Sequence, residues 1–229
     1  MSARKIIVTG GFGALGRVVA QAFAALGDKV ARVDFAPSAP DIIAGGLDLP
    51  GVDLTDAAAC AKAIAEVTAK WGGVDVLVNI AGGFAWETLP DGDIATWHRM
   101  FAMNVVTAAT ITKAALPALR ASGAGRIVNI GAGAALQAAG GMGAYAASKA
   151  GVHRLTEALA AELADTSITV NAVLPSIIDT PTNRADMPDA DTSKWVTPQA
   201  IADVILFLAS PAARSISGAL IPVSRGAAD

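Results

Sequence analysis

Residues 5–16 read KIIVTGGFGALG and run on over 17–27 as RVVAQAFAALG. Lys5–Thr9 is a short β-branched run, four glycines punctuate the next seven positions, and the apolar residues after them recur at helical spacing. The order is strand, glycine turn, helix. Glycines permit a tight turn and close approach of a pyrophosphate, and a helix N-terminus offers it unpaired N–H groups and the positive end of a dipole. Gly10, Gly11, Phe12, Gly13, Ala14, Leu15 and Gly16 therefore form a candidate dinucleotide-binding turn.

The flanking chain supplies what such a turn needs. Lys29–Asp34 (KVARVD) is a second strand, ending about twenty positions past the glycines in a carboxylate placed to accept from ribose hydroxyls and to repel a 2′-phosphate. Asp34 thus favours NAD, while Arg17 and Arg32 keep NADP open as an alternative. The connection 35–46 holds two prolines and two adjacent glycines and leaves little room for a helix. A third strand ends near Asp53, and Thr55 or Asp56 caps a helix over Ala57–Lys70.

Val74–Ile80 (VDVLVNI), Arg126–Ile130 (RIVNI) and Ile168–Leu174 (ITVNAVL) are apolar runs suited to strands buried on both faces. Helical stretches from Asp93 or Thr96 to Leu119, over Ala144–Leu163 and from Thr197-Pro198 to Ala209 separate them, and Ala219–Val223 is a last strand. This alternation predicts one α/β domain over 1–229: a doubly wound parallel sheet with helices on both faces and a ligand site beyond the carboxyl ends of its strands. The polar, proline-containing segment 181–196, with Met187 and Trp195 embedded, reads as a lid.

Tyr145 and Lys149 stand one helical turn apart on one face of the Ala144–Leu163 helix, where a phenol and an ammonium can look into one cavity. A nearby cation stabilises phenolate, so a tyrosine pKa below its usual ~10 is expected there.

Composition sets the outer bounds. The 229 residues are 53% hydrophobic with a formal net charge of −3, a balance that gives no field for nucleic acid or anionic lipid and points to a small-molecule substrate. Lone Cys60 excludes an intramolecular disulfide and reads as helix packing. His98 and His153 lack partners at metal-ligand spacing, so no metal site is expected, and both read as helix-surface residues. No apolar run approaches the ~20 residues of a bilayer span, and a soluble cytoplasmic protein is expected.

With these landmarks placed, the chain resembles the short-chain dehydrogenase/reductase family along its length. Thr9–Gly16 looks like that family's cofactor turn, Asp34 its ribose-binding acid, Asp53-Leu54 its adenine contact and Asn79-Ile80-Ala81-Gly82 its Asn-Asn-Ala-Gly motif. Asn104 matches the asparagine of its proton relay, Tyr145 and Lys149 its catalytic pair, and Pro175 to Thr180, Ile178 included, the segment around the nicotinamide amide. The resemblance implies hydride transfer with a nicotinamide cofactor. Lys149 would hold the nicotinamide ribose and Tyr145 would supply the proton.

The chain departs from the family pattern at four places. Ala14 replaces the middle glycine of the commonest turn, Ile80 an asparagine and Ser176 a glycine. Ala132, thirteen residues before Tyr145, stands where the family usually has a serine that hydrogen-bonds a substrate carbonyl, and no Ser or Thr lies between Asn129 and Tyr145. The glycine turn, the Ser-less segment and the lid look like the dihydropteridine reductases, which implies an NADH-dependent reductase of a conjugated, pterin- or quinone-like acceptor. A carbonyl reductase or alcohol dehydrogenase of the same family is the first alternative, and a non-catalytic dinucleotide sensor or scaffold the second. Phe84, Trp86, Met142, Met187 and Trp195, with Ala132, are the expected substrate-pocket wall. Alanine-rich faces on 104–119 and 144–163, together with the family resemblance, predict a homodimer or homotetramer.

Overall fold

The computed structural model describes residues 3–226. Seven strands, β1 (Lys5–Thr9), β2 (Lys29–Val33), β3 (Leu47–Leu49), β4 (Val76–Asn79), β5 (Arg126–Ile130), β6 (Thr169–Pro175) and β7 (Leu220–Val223), form one sheet in the order β3-β2-β1-β4-β5-β6-β7. Every pairing is parallel. β1, β4, β5 and β6 are almost wholly buried because helices cover both faces, which is why they read as continuous apolar runs. Chain direction across the sheet reverses between β1 and β4, and the crevice above that switch point is the natural ligand position.

Helices α1 (Ala14–Ala25) and α7 (Pro198–Leu208) pack on one face, around Val19, Phe23, Ile201 and Ile205. On the other lie α2 (Ala57–Trp71), α4 (Thr107–Ala121) and α5 (Gly143–Glu162), burying Val67, Ile111, Leu119 and Leu159 against Ile7, Leu77 and Ile127. Burying such a Leu, Ile or Phe contributes about 1.5–3 kcal/mol each. Asp56 caps α2 by accepting from Ala58 N–H at 2.8 Å, and Cys60 lies on the buried face of that helix, as expected.

The long central helix is not uniform. Asp93 caps α3 (Ile94–Phe101), the chain widens into a π turn over Ala102–Val106, and α4 then continues to Ala121. By length and composition Ile94–Ala121 could cross a membrane, contrary to the sequence expectation. Its apolar residues have another use here: Met100, Ile111, Ala115 and Leu119 are buried in the domain. The segment 181–196 holds α6 (Pro181–Asp186) and a 3-10 turn at Thr192–Lys194, and it returns to the body where Val196 N–H donates to the Ile177 carbonyl at 2.9 Å.

Candidate active site

A cleft of about 800 Å³ opens at the switch point, within the range of small-molecule sites. Gly10, Phe12, Gly13, Ala14, Leu15 and Gly16 line one side, Asp34, Asp53 and Leu54 the far end, and Ala81, Gly82 and Thr180 the side toward α5. Gly10 has φ 62°, and a Cβ there would lie 2.9 Å from the Ala81 nitrogen, so this glycine lets the β1 and β4 loops touch. Gly16 is required for another reason, since any Cβ would strike the Gly10 carbonyl. Ala14 has no such conflict and places its methyl on the cleft wall, which explains the tolerated departure from the commonest spacing.

The cleft fits a dinucleotide by its donors as well as its size. Helix α1 starts at Gly13 with no side-chain cap and no acidic residue in its first turn, leaving backbone N–H groups for a diphosphate. The Asp34 carboxylate is steered by N–H donors from Phe12 at 2.9 Å and Ala36 at 3.0 Å. Asp53 accepts from both the N–H and the hydroxyl of Thr55, which holds its carboxyl below the usual range. Thr9, at the end of β1, ties the floor together by accepting from Ile80 N–H and Ala81 N–H, each at 3.1 Å.

At the other end α5 presents Tyr145, Lys149 and His153 at successive turns. Lys149 Nζ donates to the Ile130 carbonyl at 2.8 Å, and burial pulls its pKa down to about 8. Asn104, inside the π turn, pairs with Gly83 in both directions at 3.1 Å and donates to Ser148 Oγ at 3.0 Å, which in turn donates to the Tyr145 carbonyl at 2.7 Å. Such a turn shifts helix register locally, and here it delivers Asn104 to the loop over Gly82. A Cβ at Gly82 would meet Asn104 Oδ1 and come within 3.5 Å of Lys149 Nζ, so both groups converge on the cleft wall. Phe84 packs edge-to-face on the Tyr145 ring, centroids 4.9 Å apart. Trp86 lies against Gly141 and donates from Nε1 to the Gly140 carbonyl at 3.1 Å, close to Met142 at the start of α5.

Several expectations need correction. The Tyr145 pKa is not lowered: desolvation by burial pushes it up to about 12, and the Lys149 ammonium donates to Ile130 instead. Tyr145 is therefore held protonated at neutral pH. Gly11 does not face the cleft; a Cβ there would sit 2.6 Å from Arg32 Cβ, so it is small to admit that side chain. Asn79 is also a scaffold residue, donating at 2.9 Å to Thr112 Oγ1 and Asn129 Oδ1. Pro175 ends β6 in the sheet and Ile178 packs on the core, so of that segment only Thr180 lines the cleft. Met187 and Trp195 do not line it either, nor do Ala132, Phe84, Trp86 and Met142, and Trp195 is buried at 4% exposure.

His153 is buried, not on the helix surface. Its ring is seated over Gly131, and its Nε2 accepts from Ala132 N–H at 3.4 Å. Desolvation, then Arg154 and Lys149, holds the imidazole below its ordinary pKa, hence neutral. Ala132 thus offers a methyl and a backbone donor that is already engaged. Residues that sequence reasoning missed are Phe35, Ala36, Val52 and Thr55 on the cleft wall and Met103 and Thr107 on either side of Asn104. The neighbours of Asp34, Asp53 and Asn104 were the available signal for them. Arg17 and Arg32 are both bound to carboxylates, Arg17 to Asp41 and Arg32 to Asp41 and Asp48.

Comparison with known proteins agrees with this geometry. The family model described as short chain dehydrogenase matches residues 4–191. The chain belongs to the short-chain dehydrogenase/reductase family. As a member of it, the protein is an NAD(P)-dependent oxidoreductase, and the non-catalytic reading falls. This short-chain dehydrogenase/reductase is 34% identical to the 3-oxoacyl-[acyl-carrier-protein] reductase MabA of Mycobacterium tuberculosis, covering 97% of this chain and 92% of that one. It is 29% identical to the D-beta-hydroxybutyrate dehydrogenase of Rhizobium meliloti, covering 96% of each. Among solved structures, the ligand-free aldohexose dehydrogenase of Thermoplasma acidophilum superposes with a TM-score of 0.88 at 26% identity, covering 96% of this chain and 92% of that one.

Proposed function

We propose that this enzyme is an NADH-dependent reductase of a conjugated, pterin- or quinone-like acceptor, akin to the dihydropteridine reductases. The observation that carries the reading is at residue 132, where the chain has a buried methyl in place of a hydroxyl and an N–H directed to His153. Reduction of a plain ketone develops alkoxide charge on one oxygen, and each well-placed donor to such an oxygen is worth ~2–4 kcal/mol in the transition state. A conjugated acceptor spreads the charge over its own heteroatoms, and one donor then suffices. The bound nicotinamide supplies hydride. Tyr145, held neutral by burial, is the acid that gives the accompanying proton. Asn104 fixes the loop at Gly83 and, through Ser148, the helix turn that carries Tyr145, while Lys149 is held by the Ile130 carbonyl.

The preference for NADH rests on Asp34, whose carboxylate is held at the far end of the cleft by two N–H donors. A 2′-phosphate beside it meets repulsion of a few kcal/mol at close range, about that order. Higher kcat/KM with NADPH would overturn this part. The second reading, a carbonyl reductase or alcohol dehydrogenase, draws support from the relatives, whose names describe hydroxybutyrate, 3-oxoacyl and aldohexose chemistry. The deciding experiment compares kcat/KM for quinonoid dihydropterin and for unactivated ketones, in wild type and Ala132→Ser. The proposal expects the pterin to be the better substrate and the added hydroxyl to help ketones more. Efficient ketone reduction by the wild type, with no gain from serine, favours the second reading.

The enzyme is further proposed to act in the cytoplasm as a homodimer or homotetramer. Trp97 and Phe101 on α3 and Phe207 on α7 are exposed apolar groups suited to subunit contact. Light scattering at micromolar concentration tests this, and a monomer would refute it.

A further inference from the structure

The fully buried guanidinium of Arg32 is the centre of a charge cluster just behind the adenosine end of the cleft. Arg32 leaves β2 two residues before Asp34, and its guanidinium lies 5.3 Å from the centroid of the Phe12 ring, which itself lines the cleft. It donates from Nε to Asp48 at 2.7 Å, from one terminal nitrogen to the Asp41 carboxylate, and from the other to Asp48 at 2.9 Å and the Asp41 carbonyl at 2.7 Å. The Asp41 carboxylate also accepts from Arg17 Nε at 3.0 Å and Gln21 Nε2 at 3.1 Å. Arg17 is in the second turn of α1, directly after the residues that face the diphosphate end.

We propose that Asp41 is a specificity-determining residue that excludes NADP by occupying Arg17 and Arg32, so that neither guanidinium is available to an adenosine 2′-phosphate. The inference rests on the cofactor reading given to Asp34 but assigns a separate role to a residue outside the cleft. The cluster of Arg17, Arg32, Asp41 and Asp48 is neutral, with two charges of each sign, and Asp34 then leaves the adenosine end net negative. Loss of the Asp41 charge makes the cluster positive and cancels Asp34. The two arginines differ in freedom. Arg32 remains clamped by Asp48, whereas Arg17, 42% exposed at its side chain and paired among the described residues only with Asp41, is released. A guanidinium binds phosphate through paired N–H donors, so the freed Arg17 is the group that gains a ligand.

The test measures calorimetric Kd values of 2′,5′-ADP and 5′-ADP, which differ only in the 2′-phosphate and require no turnover. Asp41→Asn should improve the relative affinity for 2′,5′-ADP about tenfold, the lower end of what one hydrogen bond to a charged group is worth. Arg17→Gln alone should leave the ratio unchanged, and Arg17→Gln added to Asp41→Asn should abolish the gain. Asp48→Asn, which removes an equal charge but keeps Arg17 bound, should give little. Asp41→Ser repeats the measurement if the asparagine variant does not fold. A ratio unmoved in a folded Asp41 variant overturns the proposal, as does an equal gain from Asp48→Asn, which would reduce the effect to net charge. A wild type that prefers 2′,5′-ADP over 5′-ADP contradicts the NADH reading instead, a different readout from the change on substitution.

Discussion

Two buried cations sit at opposite ends of the cleft, and they are treated in opposite ways. Behind the adenosine end, Arg32 meets two carboxylates and a carbonyl, and the hydrogen bonds to Asp48 and Asp41 raise its pKa above an already high ordinary value. Behind the nicotinamide end, Lys149 has the Ile130 carbonyl and, among the described residues, no carboxylate, and burial drives its pKa down. A compensated buried charge is structural. An uncompensated one stores free energy that a ligand or a developing negative charge can recover, which is why the second kind marks the chemistry.

The largest effect expected from this contrast is at the catalytic end. Tyr145→Phe should cut turnover roughly 10²-fold or more with NADH affinity nearly unchanged, since it removes the proton donor and no cofactor contact. Lys149→Ala should impair both. Steady-state kinetics with fluorescence titration of NADH separates the two cases, and wild-type turnover in Tyr145→Phe would remove the phenol from the mechanism. At the other end the loss should appear in folding instead. Arg32→Ala leaves Asp41 and Asp48 without their common partner and opens the space beside Gly11 and Phe12, so unfolding free energy should fall by about 2–4 kcal/mol in urea. Both carboxylates are partly exposed, so water offsets some of the cost. A variant as stable as the wild type would show that the cluster contributes nothing net.

The same contrast explains what the amino-acid sequence disclosed. Continuous apolar strands, glycines at a strand end and a Tyr-Lys pair one turn apart are local patterns, and they translated directly into sheet, cleft and one face of α5. Pairings between distant residues were not legible. Arg32 reads as a cofactor candidate until the connection 35–46 is seen to bring Asp41 onto it. His153 reads as a surface residue because its burial depends on Gly131, across the interface between helix and strand. Asn79 carries the family motif, yet its role is set by Thr112 and Asn129. The π turn at Asn104 adds a residue to a helix without any sequence mark, so Met103 and Thr107 reach the cleft from positions that a regular period would not single out.

The smallest expected effect concerns pH and Lys149 in the cofactor-free protein. In the unfolded chain this lysine titrates at its ordinary 10.5, and in the folded protein at about 8. Between those values the unfolded state binds more protons than the folded one, so stability rises with pH; below about 8 the full cost of a buried charge is present. The neighbouring groups leave the interval from pH 8 to 9 clear. His153 is neutral there because its pKa lies below its ordinary value, and Tyr145 acts in the opposite sense only from its ordinary 10 up to about 12. Lys149→Met removes the titration. The difference in unfolding free energy between variant and wild type should therefore shrink by ~1 kcal/mol as pH goes from 8 to 9, since a full proton difference is worth about 1.4 kcal/mol per pH unit. Urea unfolding of both proteins across that interval measures it. Parallel stability curves would mean that Lys149 keeps its ordinary pKa in the fold, and the contrast with Arg32 would then rest on geometry alone.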